Sequence, residues 1–148
     1  MNKTQLLAYC ISQIESEIEK FKHDMRQLVS EAENDSKSTA GDKHETGRAM
    51  MQLAIEQLGK QLHESELKRS TLSRVVGNSV HTTITEGSLI HTSEAIYFLT
   101  APIGKIKFEG SEVFVISSQS PLGKVLLGKR AGASFSFNNR TIQISSIS

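Results

Sequence analysis

The first quarter of the chain carries apolar residues at Leu7, Ile11, Ile14, Ile18, Phe21, Met25, Leu28 and Ala32, separated by steps of 4, 3, 4, 3, 4, 3 and 4. This is the a/d spacing of a heptad repeat. Glu15, Glu17, Glu19, Lys20, Lys22 and Asp24 fill the flanks. A lone globular helix shows a wider apolar stripe, so the narrow seam predicts a helix packed on one partner helix. A second run, from about Lys43 to Arg74, continues the pattern at Met51, Ile55, Leu58, Leu62, Leu72 and Val76, with Ser65 and Arg69 in two of the slots. The seam weakens toward the C-terminal end of this run, and the pair is expected to open there. Between the runs, Asn34 to Lys43 holds no large apolar residue and reads as a loop. A short connection between two seams of similar length predicts an antiparallel coiled-coil hairpin within one chain, and hence a monomer. Helices of about 30 residues would span roughly 45 Å at ~1.5 Å rise per residue.

After Gly77-Asn78, which reads as a left-handed helix cap, helix formers thin out and β-branched residues, Ser and Gly take over. Strands are predicted at Ser79–Thr85, Ser88–His91, Ala95–Leu99, Ser111–Ile116, Ala133–Phe137 and Thr141–Ile147. Within the last two, Ser134-Phe135-Ser136-Phe137 and Thr141-Ile142-Gln143-Ile144 alternate strictly between polar and apolar residues, so each has one buried face. Asn138-Asn139 between them reads as a tight hairpin turn. A short helix is predicted over Pro121–Leu127, since proline suits a first turn. The expected organisation is α+β: a coiled-coil hairpin over 1–76 and a small β-rich domain over 77–148, whose roughly 70 residues suffice for a small core.

The chain has 148 residues, 37% of them hydrophobic, which is low for one compact globule but suits a chain with a two-helix stalk. Net charge is +1, from 17 basic and 16 acidic residues, which argues against a general polyanion binder. The single cysteine, Cys10, permits no internal disulfide and favours a reducing compartment. It lies near the seam and is expected to be a small buried hydrophobe. No signal-peptide core and no membrane-length apolar run occur, so a soluble, cytoplasmic protein without a membrane partner is expected. G-x-x-x-x-G-K-[ST], C-x-x-C and G-x-S-x-G motifs are absent, which leaves stand-alone enzyme classes without support.

The chemistry worth weighing lies in Gly41-Asp42-Lys43-His44-Glu45, at the expected apex of the hairpin. Carboxylates three residues apart at a helix start share one side of its first turn. Such a pair can bind a hard cation such as Mg²⁺ or orient a metal-bound water. The same spacing is a capping box, with Asp42 at the N-cap and Glu45 at N3, and the two readings are compatible. Glu33 and Asp35 are nearby acids expected to be solvated. His44 has no Cys or second His beside it and makes a poor transition-metal site. Arg26, Lys37, Lys43 and Arg48 could line the region near the apex or simply face solvent.

The run Ser117-Ser118-Gln119-Ser120-Pro121-Leu122-Gly123-Lys124-Val125-Leu126-Leu127-Gly128-Lys129-Arg130-Ala131-Gly132 resembles the C-terminal signature of the Gre transcript-cleavage factors of bacterial RNA polymerase. In that family S-P opens a short helix, followed by L-x-G-K-x-x-G and a final β-hairpin. Gly41-Asp42-Lys43-His44-Glu45 matches the family's tip motif G-D-x-x-E, and the predicted layout matches along almost the whole chain. The resemblance implies an FKBP-like C-terminal domain that docks on RNA polymerase through Ser120, Pro121 and Lys124. It also implies a coiled-coil tip inserted into the polymerase's secondary channel. Asp42 and Glu45 would there share the second Mg²⁺ of the polymerase active site, so that the polymerase cleaves backtracked RNA. Lys37, Lys43 and Arg48 would lie near the nascent RNA 3′ end. The protein would then have no cofactor and no turnover of its own. Two features depart from the family: Thr46-Gly47-Arg48-Ala49 stands where Asn-Ala-Glu-Tyr is usual, and the Arg-Pro pair of the first helix is missing. A regulator that occupies the channel without stimulating cleavage is therefore the alternative. An FKBP-like fold also raises prolyl isomerisation, but such a pocket needs aromatic walls. Only Tyr97, Phe98, Phe108, Phe114, Phe135 and Phe137 are available in this half, and the core requires several of them.

Overall fold

The computed structural model describes the backbone of residues 1–36 and 41–148, with side chains described for 1–34 and 45–148. Two long helices come first, α1 (Lys3–Ser36) and α2 (Gly41–Ser73). Six strands and one short helix follow: β1 (Leu89–Thr92), β2 (Ile96–Thr100), β3 (Gly104–Phe108), β4 (Ser111–Ser117), α3 (Pro121–Leu126), β5 (Ser134–Phe137) and β6 (Arg140–Ile147). The α+β class expected from the sequence is the class observed. By packing, the chain divides into one unit of Met1–Ile11 with Lys68–Ser148, and a second unit of Ser12–Leu67.

In the first unit the sheet runs in the order β3-β4-β2-β1-β6-β5. β2 and β4 are parallel, and every other neighbouring pair is antiparallel. The pleat sends alternate side chains to opposite faces. One face carries Ile90, Tyr97, Leu99, Phe135, Ile142 and Ile144, packed with Ile84 and with Leu126 of α3. The other carries Leu89, Phe98 and Val115, which the register sets side by side. All three are fully buried. Phe108 lies on this second face, and Tyr9 of α1 meets it at a ring separation of 5.3 Å. Leu6, Cys10 and Leu72 are buried in the same unit. The helix ends therefore belong with the sheet because the sheet has a second apolar face to cover.

Burial pushes the Cys10 thiol up to about 11, which leaves about a hundredfold less thiolate at neutral pH than an ordinary cysteine has. Native protein is expected to resist thiol reagents over hours and to react within minutes in denaturant. Rapid labelling of the folded chain would show that this end of α1 opens readily.

Several local expectations change. Ser79–Thr85 is not a strand; its only bridge is Thr83 to Arg130. Its short polar side chains bond locally instead, as Ser79 and Thr85 do with His81 and as Ser88 Oγ does in accepting from Thr85 N–H. A strand absent from the sequence reading, β3, pairs at the sheet edge with Lys105 and Lys107 on its outer face. It turns into β4 through Glu109 and Gly110, at φ 50° and 79°. The expected Asn138-Asn139 turn is present, both residues being left-handed at φ 50° and 62°. The helix α2 stops at Ser73, and Gly77 does not take the left-handed conformation expected of a cap. A Cβ at Gly77 would instead lie 3.0 Å from Thr4 Cα, so glycine is needed there for close approach to α1.

Candidate functional site

In the second unit the helices run antiparallel. Ser65 Oγ donates to Glu17 Oε1 at 3.2 Å, and Gly59 faces Met25. Ile14, Ile18, Leu58 and Ser65 are buried, whereas Phe21, Met25, Leu28, Met51 and Ile55 are half-buried. The seam is thus tightest toward Ser65 and loosest toward Met51, the reverse of the expected gradient. The polar slot at Ser65 does not loosen it, because the hydroxyl is small and Glu17 satisfies it. Val76, the last expected seam residue, lies beyond the helix and is exposed. A groove of about 440 Å³ between the helices is lined by Asp24, Glu31, Gln27, Gln57, Gln61 and apolar neighbours, with no basic residue. This flank repels phosphate.

The helix α1 continues to Ser36 and α2 begins at Gly41, so both extend into the stretch expected as loop. Asp42 accordingly lies inside the first turn of α2 rather than at its N-cap. Glu45 follows one turn later, the spacing that puts two residues on one helix face. The positive end of the helix dipole favours carboxylates here. The Glu45 carboxylate is exposed, as are the guanidinium groups of Arg48 and Arg26. Lys37 and the side chains of Asp35, Asp42, Lys43 and His44 lie outside the described residues.

In the sheet unit, Ser117 to Gly128 forms one tightly bonded turn and helix. Ser120 is the N-cap of α3: its Oγ accepts from Gly123 N–H at 3.0 Å and donates to the Ser117 carbonyl at 2.7 Å. The hydroxyl is therefore engaged internally, and Pro121 and Lys124 are the exposed members of the expected docking set. Replacing Ser120 by alanine is expected to cost about 1 kcal/mol of stability, measured by denaturant unfolding. Beside Ser120 lies a shallow groove of about 280 Å³, walled by Pro102, Ile103, Val115 and Ile116. Sequence reasoning passed over this apolar patch, whose signal was the Pro102 to Gly104 stretch ahead of β3. Neither this groove nor the cavity near His81 is lined by a phenylalanine or tyrosine. Tyr97 and Phe135 are consumed by the core, and Phe114 packs against Tyr97 at 5.8 Å.

Among the described residues, no helix is long and apolar enough to cross a membrane. No protein-family model matches the chain, and no curated protein does. Among solved structures, the chain is similar to one described as the transcription factor Gfh1. The identity is 18% and the TM-score 0.38, over 93% of this chain and 92% of that one. It is also similar to GreA factor homolog 1 (Gfh1) of Thermus thermophilus, at 18% identity and a TM-score of 0.37, over 99% of this chain and 95% of that one.

Proposed function

We propose that the protein is a Gre-like transcription elongation factor that binds bacterial RNA polymerase and stimulates cleavage of backtracked RNA from the secondary channel. The observation that carries the reading is the D-x-x-E pair in the first turn of α2, at the start of one arm of an antiparallel helical pair. The S-P-L-G-K motif supports it, forming an N-capped helix with Pro121 and Lys124 exposed. In this reading the sheet unit docks on the polymerase, with Pro121, Lys124 and the Pro102–Ile103 groove as the contact surface. The helical pair then delivers Asp42 and Glu45 to the active site. Carboxylate oxygens suit a hard cation, so these two residues fit the Mg²⁺ that the polymerase holds. That ion, when bound, supplies an activated water for attack on the RNA phosphodiester. Asp42 and Glu45 fix where the water sits, and Arg48, Lys43 and Lys37 offset the charge of the RNA 3′ segment. The chain itself turns nothing over.

The Thr46-Gly47-Arg48-Ala49 departure favours a second reading, in which the same docking blocks the channel without promoting cleavage. RNA cleavage in backtracked complexes of the cognate polymerase, with Mg²⁺ and with or without the protein, separates the two. Faster cleavage supports the cleavage factor. Unchanged cleavage together with displacement of another secondary-channel binder supports the regulator. Absence of polymerase binding removes both and leaves the helical pair as an adaptor for another partner.

A further inference from the structure

Two helices packed on one seam leave that seam partly open. Phe21, Met25, Leu28, Met51 and Ile55 stay half-buried, and the groove of about 440 Å³ between α1 and α2 has Leu28, Ala54 and Leu58 as its apolar part. Ala54, Gln57 and Gln61 of α2 lie along one helix face, and Met50, one turn before Ala54 on that face, is 68% exposed. The apolar strip thus runs past the groove toward the start of α2. On α1 the groove is edged by Asp24 and Glu31, on one face with Leu28 between them. Among the described residues, neither carboxylate is paired with a cation. A pair of helices with an open apolar strip and unspent charge beside it lacks a third element.

The lining decides what that element is. Asp24 and Glu31 stand two turns apart, roughly 10 Å at ~1.5 Å rise per residue, too far to share one metal ion. With no basic residue in the lining, the groove holds no phosphate backbone. A second copy laid groove to groove would set carboxylates against carboxylates, which costs affinity instead of adding it. A helix from another protein fits if it is apolar on one face and carries cations along the edge of that face. Lysine or arginine at positions seven residues apart on such a helix would match the spacing of Asp24 and Glu31. Gln27, Gln57 and Gln61 add side-chain carbonyls that accept from the same donors.

We propose that the α1–α2 groove is a docking site for an amphipathic helix of a partner protein, with lysine or arginine along the edge of its apolar face. The apolar residues of that helix cover Leu28, Ala54, Leu58 and Met50, and its cations meet Asp24 and Glu31. The complex is a three-helix bundle completed by the partner. The surface is independent of the transcription reading, since it uses neither Asp42 and Glu45 nor the Ser120 helix, and its test needs no polymerase.

The test is a nuclear magnetic resonance titration of the methyl-labelled full chain with a synthetic peptide of about 18 residues, long enough to form a helix. The peptide carries leucine on one face and lysine along its edges, and a control peptide has glutamate in place of every lysine. The expected result is saturable shifts of the Met50, Ala54, Leu28 and Leu58 methyl signals with the lysine peptide, and affinity lower by about tenfold or more for the glutamate peptide. Glu31→Lys is expected to weaken binding of the lysine peptide by about tenfold or more. Glu56→Lys makes the same change in net charge on α2 outside the groove lining, and should keep affinity within about twofold, because an exposed charge there is screened. Glu31 and Glu56 are both exposed, so both variants keep the fold. Equal affinity for the two peptides, equal losses in Glu31→Lys and Glu56→Lys, or no shift at the groove methyls would overturn the site. Sedimentation of the chain alone is expected to show a monomer. A dimer that Ala54→Gln dissociates would give this face to a second copy and overturn the proposal.

Discussion

Gly123→Ala is expected to lower the thermal midpoint by roughly 6–12 °C, from a cost of about 3 kcal/mol or more in a chain of this size. The reason is space rather than backbone freedom. A Cβ at 123 would penetrate the Ser117 carbonyl oxygen and lie 2.9 Å from Ser120 Oγ and 3.0 Å from the Ser117 carbonyl carbon. That oxygen cannot step aside easily. It ends β4 and accepts from both Ser120 N–H at 3.1 Å and Ser120 Oγ at 2.7 Å. Moving it breaks the turn that caps α3, and α3 carries Leu126 into the core. Gly128→Ala is the control. It is left-handed at φ 80° with nothing near its Cβ position, so it costs only the backbone term of about 1–2 kcal/mol. Circular dichroism melting of both variants makes the comparison. A Gly123→Ala midpoint no lower than that of Gly128→Ala would mean that the Ser117–Ser120 turn yields. A functional defect in Gly123→Ala would accordingly report folding, and Lys124→Ala is the better probe of docking.

What could be read from the sequence depended on how many neighbours an element has. Along Ile14 to Leu28 the helix meets one partner, and the heptad seam picks out its less exposed positions. Near the N-terminus the rule breaks, because α1 there belongs to the sheet unit as well. Leu6 and Cys10, off the seam, are fully buried at 0% and 1%, deeper than Leu7 at 8%. A stripe read as narrow is in fact wide at that end. The edge strand β3 escaped because its lysines face out, Pro102 stands just before it and Gly104 opens it, although Glu109-Gly110 was a legible turn. Ser79–Thr85 looked like a strand by composition, but Ser, His and Thr had closer partners in one another and in Lys3. Lys3 itself gave no signal, since its partner Ser79 lies 76 residues away along the chain. The helix opening at Pro121 and the Asn138-Asn139 turn were legible because both are local geometry. The acidic pair was legible as chemistry, but its choice between capping and metal binding is not a matter of spacing.

That choice is what Asp42→Asn decides. Asparagine caps a helix as well as aspartate does, yet it carries no charge. If Asp42 acts as a cap, Asp42→Asn keeps stability and cleavage, and only Asp42→Ala loses them. If Asp42 supplies a ligand to the polymerase's Mg²⁺, both variants lose cleavage while helicity and polymerase binding persist. We expect the second pattern. Cleavage in backtracked complexes should fall on the order of 100-fold or more for Asp42→Asn, and similarly for Glu45→Gln. The placement of α2 bears on this expectation. The helix begins at Gly41, so the N-cap position precedes Asp42, and the side chain has less to contribute as a cap. Higher Mg²⁺ should partly restore a single variant, because one remaining carboxylate still shares the ion, but not the double variant. Rescue of the double variant by Mg²⁺, or full activity in Asp42→Asn, would return the pair to an ordinary helix start. The protein would then act, if it acts on the polymerase, by occupying the channel.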